Sequence, residues 1–501
     1  MRAIAGKPGS VEAAFTTSRE RVEELLAWLG GEVSAGLTHA ELEDHLTVAG
    51  RDLLRQFLQD HLDLRAVREQ RLPEVAETDG TVHTRLERRH VRGVTSVFGG
   101  VDVTRLAYRA PWCTNLYPAD AVLNLPEEKY SFGLRRLAAV EAGRGSFEQT
   151  VDAIERVTGV RLGKRQVQEL TARAAVDIDA FYLTRDLPPA SVTDVLALSF
   201  DGKGIVMRPD ALRAGTAKAA TSQKLSTRLS KGEKRNRKRM AEVGAVFDVI
   251  PAPRTPSDII TVSGEQPTDR APGPRTQGKW LTASVTSDTS EVIAAVFDEA
   301  HRRDPDHERT WIALVDGNNH QIDQITARAA HHDVDVTIVI DFIHVLEYVW
   351  KAAWCFHTEG DPQAENWVAD KALEILSGNA GLVAAAIRRT ATRRNLTNDQ
   401  RRNADLTATY LHNKKPYLDY PTALTHGWPI ATGVIEGACR HIVKDRMDIT
   451  GARWGLDGAE AILKLRSVIS NGEFRTYWTY HQEQEKQRVH NARYWNETVP
   501  T

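Results

Sequence analysis

Three acidic residues stand at positions where carboxylates can meet a metal ion and a substrate. Asp201 and Asp316 each follow a short apolar run, and Glu436 lies within the segment Gly-Val-Ile-Glu-Gly. Apolar runs of this length are typical of buried strands, and a carboxylate after such a strand lies at the rim of the sheet. Mg²⁺ prefers oxygen ligands, and two ions about 4 Å apart can hold both the attacking and the leaving oxygen of a phosphodiester. The acids therefore predict two metal ions, Mg²⁺ or Mn²⁺, bound by Asp201, Asp316 and Glu436 as catalytic residues.

Each acid also has a purely structural explanation. Asp-Gly after a strand is a common turn, which would account for Asp201 and for Asp316. Glu436 could pair with Arg440 one helical turn later, in a contact that contributes a few tenths of a kcal/mol. The order of the three acids and their strand, strand and helix contexts favour the metal site.

The sequence around these acids resembles a known family. Residues 339–352, VIDFIHVLEYVWKA, resemble the "DFxHVxEYxWKA" signature of bacterial insertion-sequence transposases of the Kra-four family. Residues 433–466 resemble the segment around the catalytic Glu of that family, and residues 123–160 resemble its N-terminal region. The resemblance extends from about residue 85 to the C-terminus.

The resemblance implies a DDE transposase with an RNase H-like core, in which Asp201, Asp316 and Glu436 form the catalytic triad. Asp341 and His344 would be the D/C-x-x-H element of the Mutator-like group and would lie near the site. For His344, a satisfied core histidine is the structural alternative. The implied partners are DNA, as transposon terminal inverted repeats and as target, and further copies of the chain in a homo-oligomer on DNA.

Composition is that of a large protein with more than one core. The chain has 501 residues, of which 41% are hydrophobic and 26% charged, so two to four domains are expected. No membrane span or signal peptide is predicted, and we expect a bacterial cytoplasmic protein that associates with the nucleoid when bound to DNA. The three cysteines are far apart and form no C-x-x-C, which argues against a disulfide framework and a structural zinc site.

A basic segment follows the first predicted catalytic strand. Residues 213–239 contain ten Lys or Arg and one Glu, although the net charge of the chain is −2. Such a run is often a solvated arm, but at this position it could neutralise phosphates. Its DNA-binding candidates are Lys234, Arg235, Arg237, Lys238 and Arg239.

Further DNA-binding candidates lie in two helical regions. The spacing of Ser146 and Gln149 predicts a capping box at the start of a helix. A turn followed by a further helix that begins at Lys164 is typical of a helix-turn-helix motif, in which Lys164, Arg165 and Gln168 would face DNA, although short helix pairs are common. After Glu436, the residues that could meet phosphates or an unpaired base are Arg440, Lys444 and Trp454. For Trp454, a core anchor is the alternative.

The predicted fold is multidomain α/β. An RNase H-like mixed-sheet catalytic core with an all-helical insertion follows a mainly helical N-terminal DNA-binding region that contains a β-hairpin. The predicted core elements are strands 195–200, 243–250 and 280–286, helix 289–303, strand 310–315, helix 318–330 and strand 335–340. The expected boundaries are 1–80 and 81–187 for the N-terminal regions, 190–355 and 426–475 for the core, 356–425 for the insertion, and 476–501 for a tail.

Overall fold

The computed structural model describes residues 14–187, 194–221, 237–261, 270–449 and 451–500. The chain divides into two compact units. The first unit comprises Met1–Thr184 together with Gly472–Thr501, and the second unit comprises Arg185–Asn471.

The strands fall into three sheets. A two-stranded pair β1–β2 and a long hairpin β3–β4 belong to the first unit, and a five-stranded sheet belongs to the second. The strand bounds are β1 Val75–Ala76, β2 Val82–His83, β3 Arg85–Ser96, β4 Gly99–Arg109, β5 Val195–Val206, β6 Lys238–Ile250, β7 Arg275–Ser284, β8 Trp311–Val315 and β9 Val336–Ile340.

Helices make up most of the remaining structure. In the N-terminal part of the chain they are α1 Thr16–Leu29, α2 Glu32–Ala35, α3 His39–Arg68, α4 Pro118–Val122, α5 Phe132–Arg144, α6 Phe147–Thr158, α7 Lys164–Arg173 and α8 Ile178–Thr184. Around the large sheet they are α9 Ala214–Thr221, α10 Pro256–Ile259, α11 Thr289–Arg303, α12 Asn319–His331 and α13 Phe342–Ala353. Towards the C-terminus they are α14 Pro362–Leu376, α15 Ala380–Arg393, α16 Asn398–Asn413, α17 Tyr420–Thr425, α18 Gly433–Ala438, α19 Asp445–Met447, α20 Leu456–Ser470 and α21 Phe474–Val489.

The first unit is built around the β3–β4 hairpin and two helix clusters. Apolar residues of the hairpin pack against α3, with Leu62, Val94, Val101 and Val103 forming one buried cluster. Helix α6 begins with the predicted capping box of Ser146 and ends at a left-handed glycine, after which α7 starts at Lys164. The tail expected at 476–501 begins inside helix α21, Phe474–Val489, and this helix belongs to the first unit.

The second unit contains a mixed sheet with strand order β7-β6-β5-β8-β9. Strands β5, β6 and β7 are antiparallel neighbours, whereas β8 and β9 run parallel to β5. Helices α11 and α12 make the connections into β8 and β9, as parallel strands require. Gly244 lets α11 approach β6 closely, because a Cβ at that position would overlap the side chain of Val296.

Helices α14 to α17 follow α13 and separate the sheet from α18 in the sequence. Helix α13 packs against α14 and α16, and α18 packs against β5 and β6. Within the described ranges of the chain, no helix is both long enough and apolar enough to cross a membrane.

Candidate functional site

Three aspartates lie in one row across the parallel strands of the large sheet. The register pairs Ser199 with Leu314, two residues before Asp201 and Asp316 respectively. It pairs Val315 with Ile340, one residue before Asp316 and Asp341. Because neighbouring strands are about 4.8 Å apart, the row brings the three positions to one edge of the sheet, where β8 and β9 end. Ligands of open α/β sheets bind at this edge.

Asp201 lies within β5, beside β6. Its Oδ1 accepts a hydrogen bond of 2.7 Å from the Gly202 amide, and its side chain is partly exposed. Across the antiparallel pair, Glu242 lies opposite Gly202. Burial raises the pKa of Glu242, and the charge of Asp201 adds to the rise. Sequence reasoning missed Glu242, because only the pairing of β5 with β6 places it beside Asp201.

Asp316 is the first residue after β8 and is exposed. Its Oδ1 accepts a hydrogen bond of 2.9 Å from the Asn318 amide, which leads into α12. Its backbone carbonyl accepts a hydrogen bond of 3.3 Å from the Tyr410 hydroxyl. The next residue, Gly317, has φ +94°, and a Cβ there would lie 2.9 Å from the Tyr410 hydroxyl, so the turn requires glycine.

Asp341 follows β9 and is fully buried. Its Oδ1 accepts the Ile343 amide at 3.0 Å, and its Oδ2 accepts the Thr432 hydroxyl at 2.6 Å and meets His344 Nδ1 at 3.2 Å. Burial acts to raise the pKa of Asp341, but the hydrogen bonds, chiefly from His344, outweigh it and the pKa is lowered. Asp341 therefore caps α13 and holds His344 and Thr432 with an ionised carboxylate.

His344 is oriented by that carboxylate. The hydrogen bond to Asp341 raises the pKa of His344 against the effect of burial, and the charges of Asp316 and Glu347 contribute further. Because an ionised carboxylate only accepts hydrogen bonds, Nδ1 of His344 must carry a proton. Nε2, on the other side of the ring, is then directed away from Asp341.

Glu436 is exposed on α18, immediately after the residues that anchor this helix to the sheet edge. Thr432, which precedes α18, donates to Asp341, and the Ile430 carbonyl accepts the Phe342 amide at 2.8 Å. Ligand atoms of Asp341, His344 and Glu436 all lie within 4.8 Å of one another. Beyond α18 the chain continues as a π-helix, Cys439–Lys444, a geometry that often occurs at functional sites.

The π-helix brings α18 close to Asp201 as well. Cys439, its first residue, is buried, and burial raises the pKa of its thiol, with the nearby Asp201 carboxylate raising it further. The three predicted triad residues are thus not shown as one cluster. Glu436 on α18 lies beside Asp341 and His344, and Asp201 lies beside Cys439 of the π-helix, whereas Asp316 has neither of these contacts among the described residues. Of the acids at this edge in the described chain, only Asp341 and Glu436 join a group of three converging ligands.

Helices α13 and α16 form a cavity beside Asp316. Its volume is about 420 Å³, and its lining includes Asn319, Lys351, Asn403, Tyr410 and Lys414. The rings of Tyr348 and Tyr410 stack at 3.9 Å, and the Lys351 ammonium lies 4.5 Å from the Tyr348 ring.

Lys414 is the most unusual side chain of this cavity. Only 7% of it is exposed, and its ammonium donates to the side-chain carbonyl of Asn319. Burial lowers the pKa of Lys414, while the charges of Asp316 and Asp323 oppose that effect. A buried ammonium with an uncharged partner is costly, and it would be stabilised by an anion in the cavity. No pattern in the surrounding sequence predicts that Lys414 is buried, because its burial depends on packing against α12.

The remaining predicted DNA-binding residues are placed as follows. Lys234 and Arg235 lie outside the described residues, as does the rest of 222–236. Lys238 is exposed, Arg237 is partly exposed, and Arg239 donates to the Val285 carbonyl at 2.7 Å. On the helical segment after Glu436, both Arg440 and Lys444 are exposed.

Trp454 is placed as a core residue. Its ring is 5% exposed, its Nε1 donates to the Met447 carbonyl at 2.9 Å, and the Arg446 guanidinium lies 4.7 Å from the ring. The structure therefore favours the core-anchor interpretation of Trp454 over base stacking.

In the first unit, the predicted recognition helix is α7. Lys164 and Arg165 are exposed at its start, where they contact Glu148 at 3.4 Å and Glu169 at 2.9 Å, and Gln168 is partly exposed. Such exposed ion pairs contribute little to stability, so both cations remain accessible to a stronger anion.

Comparison with known proteins supplies no family for this chain. No protein-family model matches it, and a search of curated proteins found no match.

Proposed function

We propose that this protein is a DNA transposase that cuts the ends of an insertion sequence and transfers the freed strands to target DNA. One observation carries the proposal: Asp201, Asp316 and Asp341 lie in register along one sheet edge, and Glu436 on α18 meets that edge. The strand order and the helical segment between α13 and α18 are those expected of an RNase H-like core with a helical insertion. The protein would act in the bacterial cytoplasm, on nucleoid DNA.

The residues suited to hold metal are Asp201, Asp316 and Glu436. Their carboxylates are at least partly exposed and lie on elements that meet at the sheet edge, and oxygen donors of this kind fit Mg²⁺ or Mn²⁺. When bound, two such ions supply positive charge to the attacking and leaving oxygens of a phosphodiester. Asp341 fits this role poorly, because its oxygens already accept three hydrogen bonds within the protein.

Asp341 instead positions two groups of the site. It fixes the ring of His344 through Nδ1, and it fixes the start of α18 through Thr432. His344 would then present Nε2 to a phosphate oxygen near Glu436, and its raised pKa favours the protonated, donating form. Both functions depend on the Asp341 carboxylate remaining ionised.

Positively charged side chains that could contact the DNA backbone lie near the acids. Arg440 and Lys444 are exposed on the segment that follows Glu436, and Lys414 lies beside Asp316. Contacts of this kind position the substrate without reading its sequence. End recognition would come from the first unit, through α7 with Lys164, Arg165 and Gln168. Because two ends must be processed together, a homo-oligomer on DNA is part of the proposal.

The first test replaces each proposed metal ligand with its amide. Asp201→Asn, Asp316→Asn and Glu436→Gln should each abolish cleavage of a duplex taken from the DNA that flanks the gene, while leaving DNA binding nearly intact. Asp370→Asn, an exposed acid on α14, is the matched control and should cleave like the wild type. Cleavage at the wild-type rate by one of the three variants would remove that residue from the triad.

Two alternatives are separated by a second assay. An RNase H-like nuclease would cut a flanking duplex but would not join a pre-cut end to target DNA, whereas a transposase would do both. A non-enzymatic DNA-binding protein would do neither and would give no heat in a titration with Mg²⁺ or Mn²⁺. Joined products from the pre-cut end would support the transposase, and cleavage without joining would support the nuclease.

A further inference from the structure

A second group of converging ligands lies in the first unit. Single ligand atoms of Glu77, His83 and Cys113 all lie within 4.8 Å of one another. Glu77 follows β1, His83 ends β2, and Cys113 lies in the segment after β4. The set combines a carboxylate, an imidazole and a thiol, and it contains the ligand types that zinc sites use. It is separate from the acids of the large sheet and does not depend on the proposed function.

The His83 ring is held in one orientation by contacts at both of its nitrogens. Its side chain is fully buried, its Nδ1 lies 3.1 Å from the Tyr108 carbonyl, and its Nε2 lies 3.1 Å from Glu77 Oε2. A backbone carbonyl only accepts hydrogen bonds, so Nδ1 must carry a proton. In a neutral ring, Nε2 then presents a lone pair to a carboxylate oxygen that also carries lone pairs.

A proton shared between Nε2 and Glu77, or another positive charge placed there, relieves the repulsion between these lone pairs. One source of the charge is a second ring proton, which would make His83 an imidazolium ion. The other source is a metal ion bound by Nε2. Histidines that bind metal through one nitrogen commonly donate the other N–H to a backbone carbonyl, as His83 does towards Tyr108.

The backbone around the group is held in place by other contacts. The Glu77 amide donates to the Thr81 carbonyl at 2.8 Å, and Glu77 forms a β-bridge with Tyr494. Val75 and Tyr108 belong to one buried cluster with Tyr494, which fixes β1 against β4. Glu77 and His83 thus present their ligand atoms from a packed frame, and Cys113 meets them from the segment after β4.

We propose that Glu77, His83 and Cys113 bind one divalent transition-metal ion of the zinc class, with water as the fourth ligand. Thiolate and imidazole favour such an ion over Mg²⁺ or Ca²⁺, which prefer oxygen ligands throughout. Binding would release the thiol proton of Cys113 and join the β1–β2 pair to the segment after β4. Glu77 and Cys113 are only partly buried, which leaves room for the water and a path for the ion. The sequence argued against a zinc site because it contains no C-x-x-C, whereas these ligands come from positions 77, 83 and 113, up to 36 positions apart.

The test uses the full-length protein and Co²⁺ as the probe. Co²⁺ bound through a thiolate gives an intense sulfur-to-metal charge-transfer absorption, which carboxylate sites lack. We expect this absorption at one equivalent of Co²⁺, its loss on adding one equivalent of Zn²⁺, and about one zinc per chain by elemental analysis of protein purified without chelator. The absorption should be absent in Cys113→Ser. In Glu77→Gln, the apparent affinity for Co²⁺ should fall at least tenfold.

Two control variants test whether the absorption depends on Cys113 alone among the three cysteines. Cys355→Ser and Cys439→Ser remove the other thiols and should retain the charge-transfer absorption. Both test variants replace partly buried residues, whereas substitution of the buried His83 could prevent folding. Absence of the absorption in the wild type, together with zinc-free protein, would overturn the proposal and assign the charge to a His83 imidazolium. Persistence of the absorption in Cys113→Ser would also overturn it.

Discussion

Lys414→Met separates a role in DNA binding from a role in stability. Methionine preserves most of the apolar length of the side chain and removes the ammonium. Lys414 is nearly buried beside an uncharged amide, and burial lowers its pKa, so the charged form destabilises the folded protein. We therefore expect the free energy of unfolding of Lys414→Met to equal or exceed that of the wild type. If Lys414 neutralises a phosphate, affinity for DNA and the cleavage rate should both fall.

The magnitude of the binding effect follows from counterion release. Each phosphate contact contributes about 0.9 to the slope of log K against log salt for duplex DNA, and about 0.7 for a single strand. Loss of one contact should therefore flatten the slope by about one unit or slightly less. Over a fourfold increase in salt, the affinity advantage of the wild type over Lys414→Met should shrink about threefold.

The assay is a salt titration of DNA binding by fluorescence anisotropy, combined with thermal unfolding of the same samples. Lys279→Met is the matched control, because Lys279 is exposed on β7, at the opposite edge of the sheet from β9. The control should keep the wild-type slope and cleavage rate. An unchanged slope in Lys414→Met together with a lower unfolding temperature would refute the phosphate contact and make Lys414 a structural residue.

Three further predictions concern positioning, pH and recognition. Thr432→Val removes a hydroxyl that donates to Asp341, and we expect cleavage to fall about 10–100-fold with little change in DNA binding, measured at saturating DNA. The pKa of Asp177 is lowered to about 2, because its hydrogen bonds to His481 and Arg488 outweigh the effect of burial. Its contribution to stability, about 2 kcal/mol, should be present above pH 4 and lost as pH falls towards 2. Asp177→Asn should remove this pH dependence of stability when acid unfolding is monitored by hydrogen exchange. Arg165→Ala with Gln168→Ala should narrow the preference for terminal-repeat over scrambled DNA more than it lowers total affinity, and equal preference in wild type and variant would assign recognition elsewhere.

Local patterns predicted most elements of the second unit. The helix expected at 289–303 is α11, Thr289–Arg303, and the strand expected at 310–315 is β8, Trp311–Val315. In the first unit, the capping box expected at Ser146 is confirmed at the start of α6. These predictions succeeded because helix periodicity, capping side chains and apolar runs act over a few neighbouring residues.

Strand ends were predicted less well. Strand β5 was expected to end at residue 200 and continues to Val206, and β6 was expected from 243 and begins at Lys238. The extensions pair with each other, so residues after Asp201 are held by cross-strand hydrogen bonds rather than by an apolar pattern of their own. Asp201 is consequently an interior residue of a strand, whereas Asp316 follows the end of one.

The sequence by itself determined several of the side chains that could do chemistry and most of the elements that carry them, because residue type and local periodicity are properties of short segments. The tertiary structure decided which of those side chains meet. Parallel register aligned Asp201, Asp316 and Asp341, a hydroxyl from Thr432 tied α18 to that row, and packing against α12 buried Lys414. The tertiary structure also brought Glu77 and His83 close to Cys113 and placed α21 in the first unit. Contacts between residues far apart in sequence depend on the packing of whole elements, which no local pattern encodes.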